Sequence, residues 1–343
     1  MTDYATLNEI ASQTTAWGEA IDRAMAPAPA LRGLDFSGQR QVLCVGCGST
    51  YYLAQSAAAL LQSRTGVIAR AFPASELLLE PGTAFVDGRT ILVAISRSGA
   101  TSETVRVVSD FKARRQGPVV VVTNYGDSPI ARDGDVVLTI DAGRERSVAQ
   151  TRSFASMHVA AAAIADLLGP DPLGDGYKAA LLAAGTRLLG EHGALTRRLA
   201  ADASIRQVFF LGSGPRFGLA SEASLKLKEM SQTVSEPFHF FEFRHGPISM
   251  VDDGTLVVGL VSEGAQGYET AVLDEVRARG GRTLSIGETG TDVAFRSGVP
   301  GHVRNILYLP VLQLFAYERA LANGKNPDSP RHLTAFVTLD LGA

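Results

Sequence analysis

A glycine-rich turn near the start of one half of the chain recurs in the other half at a fixed spacing. Gln41, Val42, Gly46, Gly48, Leu53, Ala54 and Ala57 reappear as Gln207, Val208, Gly212, Gly214, Leu219, Ala220 and Ala223, an offset of 166 residues (207 less 41). The same offset carries Ser96, Glu103 and Thr104 onto Ser262, Glu269 and Thr270. One register held across two separated segments implies a duplicated domain. A ligand site is then expected where copies or subunits meet.

Short apolar runs alternate with longer helical patterns in both halves, as parallel βαβ units require, so the expected fold class is α/β. In the first half the predicted strands are 41–45, 67–72, 91–96, 119–123 and 136–140. The run Val119 to Val122 has no polar face and reads as a central strand covered on both sides. The second half repeats the pattern more loosely, with strands predicted at 208–212, 256–261, 282–286 and 302–306. Between the halves, Gly169 to Gly176 is turn-rich and Lys178 to Ala201 reads as one amphipathic helical connector. A last helix is predicted from Pro310 to just before Asn323-Gly324. The expected layout is a helical segment over 1–34, a first domain over 35–184, a second over 185–323, and a tail over 324–343 with a strand-like end.

With 343 residues, 45% hydrophobic and 20% charged, the chain can bury two ordinary cores. A net charge of -3 and a pI near 6.1 provide no broad basic surface, so nucleic acid is not an expected partner. The first twenty residues lack the charged start and apolar run of a signal peptide, and the Ala-rich stretch from Val159 to Leu168 is too short to span a bilayer and contains Asp166. A soluble cytoplasmic protein without a membrane partner is expected. Cys44 and Cys47 form a C-x-x-C, but one lies in a strand and the other in the glycine turn. Packing roles are expected for both, since two thiols alone do not complete a zinc site.

The sharpest local motif is Ser96-Arg97-Ser98-Gly99-Ala100-Thr101, at the junction of a strand and a helix. Unpaired N–H groups at a helix start favour an anion, and hydroxyls beside them suit a phosphate. A serine-capped helix with no ligand is the alternative, and the position outside the carboxyl end of a parallel strand favours the phosphate. Gly46-Cys47-Gly48-Ser49-Thr50 ends the first strand and offers Ser49 and Thr50 to the same pocket. It lacks the third glycine of a dinucleotide turn. In the second half Glu222, Lys226 and Glu229 fall at i, i+4 and i+7, on one face of a helix otherwise rich in Ala, Leu and Met. A solvated salt-bridged face is the alternative. Downstream, His239, Glu242 and His245 lie in an aromatic run whose spacing does not present a metal face, so no metal is expected.

The chain resembles a known family in six motifs taken in order: Gly46 to Tyr51, Ser96 to Thr101, Val148 to Phe154, Ala223 to Glu229, Phe243 to Pro247 and Asp328 to Leu333. They match the isomerase half of glucosamine-6-phosphate synthase (glutamine-fructose-6-phosphate aminotransferase), and the match covers nearly the whole chain. The chain is identified as a double SIS (sugar isomerase) domain protein, which implies two tandem flavodoxin-like domains and a sugar-phosphate or amino-sugar substrate. By that resemblance Thr50, Ser96, Ser98 and Thr101 hold the phosphate together with Ser49 and with Arg97, which stands where relatives carry glutamine. Val148 and Glu222 are further substrate contacts. Glu229 is implied as the base that moves a proton between C1 and C2, His245 as the group acting on the ring oxygen, and Lys226 as the electrostatic partner of Glu229. In relatives the histidine comes from a neighbouring subunit, so a homodimer with its site at the interface is implied. No cofactor is implied.

Two departures narrow the expectation. The chain begins Met1-Thr2-Asp3 without the synthase's cysteine or room for its glutaminase domain, so glutamine-dependent synthesis is not expected. The family's C-terminal lysine is replaced by Ala335, which removes imine chemistry at that residue. The expected activity is isomerisation and deamination of an amino-sugar 6-phosphate, with fructosamine-6-phosphate cleavage as the alternative. A non-catalytic sugar-phosphate sensor is the alternative of another class. The segment before Gln41 carries no basic recognition helix, which disfavours it.

Overall fold

The computed structural model describes residues 4–86 and 88–340, without the side chain of Ser37. In chain order the first elements are α1 (Ala5–Met25), α2 (Ala28–Gly33), β1 (Gln41–Gly46), α3 (Ser49–Thr65), β2 (Ala69–Pro73), α4 (Ala74–Leu79), β3 (Thr90–Ser96), α5 (Ser102–Ala113), β4 (Val119–Thr123), α6 (Pro129–Asp133), β5 (Val136–Thr139) and α7 (Arg152–Leu167). They are followed by α8 (Lys178–Glu191), α9 (Gly193–Ala201), β6 (Gln207–Leu211), α10 (Pro215–Ser231), β7 (Val234–Phe238), β8 (Thr255–Leu260), α11 (Gln266–Ala278), β9 (Arg282–Gly287), β10 (Val293–Ala294), α12 (Gly301–Arg304) and α13 (Leu309–Ala322).

The chain divides into two compact units. The N-terminal unit holds residues 12–145, 150–178 and 334–340; the C-terminal unit holds 4–11, 146–149 and 179–333. Each contains one five-stranded sheet, ordered β2-β1-β3-β4-β5 in the first and β7-β6-β8-β9-β10 in the second, with every pair parallel. Both follow the flavodoxin-like order, in which the chain reverses direction across the sheet between the first and third strands. The structure is therefore α/β, two tandem flavodoxin-like domains. No helix among the described residues is long and apolar enough to cross a membrane.

The duplication extends to backbone geometry. Helices α3 and α10 each have 17 residues and start at Ser49 and Pro215, the same 166 residues apart. The glycine ahead of each adopts one conformation, φ 56° and ψ −124° at Gly48, φ 57° and ψ −131° at Gly214, in a region that side chains disfavour. A Cβ on Gly46 would lie 2.5 Å from the Thr50 carbonyl carbon, and one on Gly212 2.4 Å from the Arg216 carbonyl oxygen. Each turn closes only because both glycines lack a side chain.

Burial explains the strand composition. β1, β3 and β4 are buried along their whole length, as strands covered on both faces must be. Alternate residues Leu43, Val45, Leu92, Ala94, Val119 and Val121 pack with Val107, Val108 and Phe111 of α5. In the C-terminal unit Phe209, Leu211 and Val257 pack in the same way with Val272, Leu273 and Val276 of α11. The far face of the first sheet is covered by α3 and α7, and α7 is buried from Ser153 to Leu167. Its alanines let it lie close to the sheet without a polar face.

Several predicted elements differ. Residues 302–306 form helical turns, α12 and a following 3-10 turn at Asn305–Tyr308, instead of a strand. Every residue from Val303 to Tyr317 is buried, including Arg304, Asn305 and Gln313, so the segment has no exposed polar stripe to separate the two structures. Strands β7 and β10 went unpredicted. β7 (VSEPF) is an edge strand with a charge and Pro237, which an edge tolerates. β2 begins at Ala69, two residues later than expected, and the connector is two helices broken at His192. The described part of the tail, through residue 340, contains no strand.

Candidate functional site

In the N-terminal unit both hydroxyl-bearing loops follow the carboxyl ends of adjacent strands, β1 and β3. Thr50 Oγ1 accepts from the Cys47 amide at 2.9 Å and donates to the Cys47 carbonyl at 3.0 Å, so this buried hydroxyl clasps its own turn. Ser49 is buried beside it. Ser96 Oγ accepts from the Gly99 amide at 3.1 Å and Ser98 Oγ from the Ala100 amide at 3.2 Å, which leaves both hydroxyl protons to donate elsewhere. Gly99 has φ 62°, and a Cβ there would meet Ser128 Oγ at 2.0 Å. Thr101 precedes α5 as its N-cap and makes no side-chain bond to the helix. Ser96, Ser98 and Thr101 thus surround the start of a twelve-residue helix, an arrangement that suits an anion.

Arg97 belongs to the same loop, but its guanidinium pairs with Glu145 at 3.7 Å and donates to the carbonyl of Ala335. Glu145, whose side chain is fully buried, also accepts from the Thr151 amide and hydroxyl and from the Ser153 hydroxyl. Sequence reasoning missed Glu145. Its only signal is a carboxylate between Arg144 and Arg146, which reads as surface charge.

The second copy shows why only one loop is a candidate. Ser262 Oγ accepts from the Ala265 amide at 3.2 Å, the counterpart of the Ser96 turn. There the carboxylate of Glu269 also accepts from the Ser262 amide at 2.6 Å and its hydroxyl at 3.0 Å. An internal anion fills the turn of the second copy.

In the C-terminal unit α10 carries the charged face. Lys226, 2% exposed, lies 3.5 Å from Glu222, 1% exposed, and donates to Glu229, which is 19% exposed. The solvated alternative is thereby excluded for Lys226 and Glu222, and Glu229 is the member that reaches the surface. Ion pairs this buried carry a desolvation cost that exposed pairs do not. Val148 donates its amide to the Asp328 carbonyl at 3.0 Å. His245 is exposed at the end of a 3-10 turn (Glu242–Arg244), followed by Gly246 at φ 129°. His239 is stacked on Phe217 with ring centroids 4.0 Å apart. Among the described residues no group of three or more His, Cys, Asp or Glu is placed to hold a metal.

The two cysteines are free thiols with packing environments. Burial pushes Cys44 up to about 12, and burial also raises Cys47, whose sulfur lies 3.6 Å from the Thr104 hydroxyl. Neither favours the thiolate that redox chemistry requires.

Residues 35–167 and 203–308 match the SIS domain family. A glutamine–fructose-6-phosphate aminotransferase (isomerizing) from Symbiobacterium thermophilum is 31% identical over 327 residues, which cover 88% of this chain and 52% of that protein. The chain spans about half the length of the curated relatives it matches. Among solved structures, glucosamine-6-phosphate deaminase from Thermotoga maritima superposes with a TM-score of 0.84 at 26% identity, covering 98% of this chain and 100% of that one. The C-terminal domain of glucosamine-fructose-6-phosphate aminotransferase from Francisella tularensis superposes with a TM-score of 0.81 at 24% identity, covering 96% and 99%.

Proposed function

Because the chain belongs to the SIS domain family, with two such domains in tandem, we propose that it is a phosphosugar isomerase that deaminates an amino-sugar 6-phosphate. The reading assigns it the conversion of glucosamine 6-phosphate and water to fructose 6-phosphate and ammonia. Glu229 takes the proton from C2 of the open-chain sugar and returns it at C1, and water then hydrolyses the resulting imine to release ammonia. Ser96, Ser98, Thr101 and the start of α5 hold the phosphate, and His245 of a neighbouring subunit serves the ring oxygen.

The observation that carries the reading is the charged face of α10. A fully buried ammonium donates to a carboxylate that alone of the three reaches solvent. Such an arrangement costs stability and is kept where a carboxylate must be held in one orientation. Lys226 fixes Glu229 on one side and leaves its other oxygen for a substrate proton. Two further observations support the assignment: an internal carboxylate fills the second copy's turn, and the similar Thermotoga maritima structure is that of a glucosamine-6-phosphate deaminase.

The test is turnover. The protein incubated with glucosamine 6-phosphate is expected to release equal amounts of ammonia and fructose 6-phosphate. Glu229→Gln should reduce kcat by at least about a thousandfold while phosphosugar still raises Tm, because the base is lost and the phosphate loop is kept. Wild-type turnover in that variant excludes Glu229 as the base. Release of an amino acid from a fructosamine 6-phosphate instead would assign the deglycase activity. Stabilisation by these sugars without turnover would assign a sensor.

A further inference from the structure

Arg97 and Ala335, two positions at which the family resemblance implies a different residue, touch each other. The Arg97 side chain is 7% exposed; it pairs with the Glu145 carboxylate at 3.7 Å and donates to the Ala335 carbonyl. Glu145 is itself held by the Thr151 amide at 2.7 Å and hydroxyl at 2.6 Å. The guanidinium is a planar fork, and here its directions are spent on a carboxylate and a backbone carbonyl.

The tail continues from Ala335 along the start of α5. The Val337 carbonyl accepts from the Ser102 amide at 3.4 Å, and the Leu339 amide donates to the Ser102 hydroxyl at 2.9 Å. Residues 331–340 are exposed throughout. Polar bonds, not apolar burial, therefore hold the tail, and Arg97 supplies one with a charged donor. Bonds to a charged group are the stronger kind, so this contact is a principal part of the attachment.

We propose that Arg97 is a positioning residue that moors the C-terminal tail against the start of α5, rather than a ligand of the phosphate. The charge of Arg97 reaches the backbone at Ala335 from the loop, on a group that stays protonated and forms no imine. The phosphate is left to Ser96, Ser98, Thr101 and backbone amides. This last step rests on the proposed phosphate site; the mooring does not.

Hydrogen exchange on the full chain without sugar separates the two. In Arg97→Gln the amides of residues 334–340 should exchange about tenfold faster, those of β1, β3 and β4 should keep the wild-type rate, and Arg97→Lys should restore part of the protection. Arg97→Gln combined with Glu145→Gln removes both charges and guards against misfolding from a lone buried carboxylate; it should loosen the tail equally. Titration with inorganic phosphate, read as a Tm shift, should give an affinity within about threefold of wild type for Arg97→Gln. Unchanged tail exchange, or a greater loss of phosphate affinity, overturns the proposal. Failure of the wild type to bind phosphate would count against the proposed function and leave the exchange result standing.

Discussion

At the residue scale the buried ammonium of Lys226 is the most exposing test of the candidate site. It is 2% exposed and faces Glu222, itself 1% exposed, so deleting the cation strands a carboxylate away from water. Lys226→Met is expected to lower unfolding stability by about 3–5 kcal/mol in urea titrations, and adding Glu222→Gln should recover most of that loss. A cost below about 1 kcal/mol would mean that the pair is hydrated and positions nothing. The spacing of Glu222, Lys226 and Glu229 was legible in the sequence because helical periodicity puts them on one face whatever surrounds them. The fates of Thr50 and Arg97 were not. Thr50 turns inward to Cys47, and Arg97 reaches Ala335, 238 residues away. Residue type and motif register say nothing about which way such a side chain turns when its partner arrives from distant sequence.

At the scale of elements, α7 contributes a device that is independent of the site. His158 is fully buried on this helix, its Nε2 2.9 Å from the Ser56 hydroxyl of α3, and burial pushes its pKa down to about 4. The folded chain therefore keeps the imidazole neutral, while the unfolded chain takes up a proton near the ordinary value of about 6.5. Stability is full above that value and falls as pH drops toward 4, by on the order of 3 kcal/mol. Replacing His158 with Gln keeps a partner for Ser56 and removes the titration. Urea midpoints compared at pH 7 and pH 4.5 should fall less in His158→Gln than in wild type, and equal falls would show that the histidine is not kept neutral. Sequence patterns served well for elements whose burial is uniform, such as β4, whose bounds were read correctly from its run of valines. They failed at β7 and at α12, where tertiary position outweighs local preference: an edge admits Pro237, and complete burial erases the helical stripe around Val303.

At the scale of the whole molecule the duplication was the most legible feature, since it rests on identity at a fixed offset and needs no knowledge of partners. Its consequence was harder to read. Two copies kept one turn, yet Glu269 fills it in the second and nothing in the offset distinguishes that glutamate from Glu103 of the first. Asymmetry of this kind distinguishes the Ser96 turn of the first copy from the Ser262 turn of the second, although the two share one backbone pattern. His245 adds a question of assembly, being exposed on its own chain beside the exposed Phe241 and Met250. If the histidine serves a neighbouring subunit of a symmetric dimer, Glu229 and His245 of any one site belong to different chains. Glu229→Gln and His245→Ala, each inactive alone, should then complement on mixing and exchange. Random pairing makes half the dimers mixed, and each mixed dimer holds one intact site and one doubly damaged site, so activity should return to about a quarter of wild type. No recovery, with mixed dimers shown to form by mass, would place both residues of a site on the same chain.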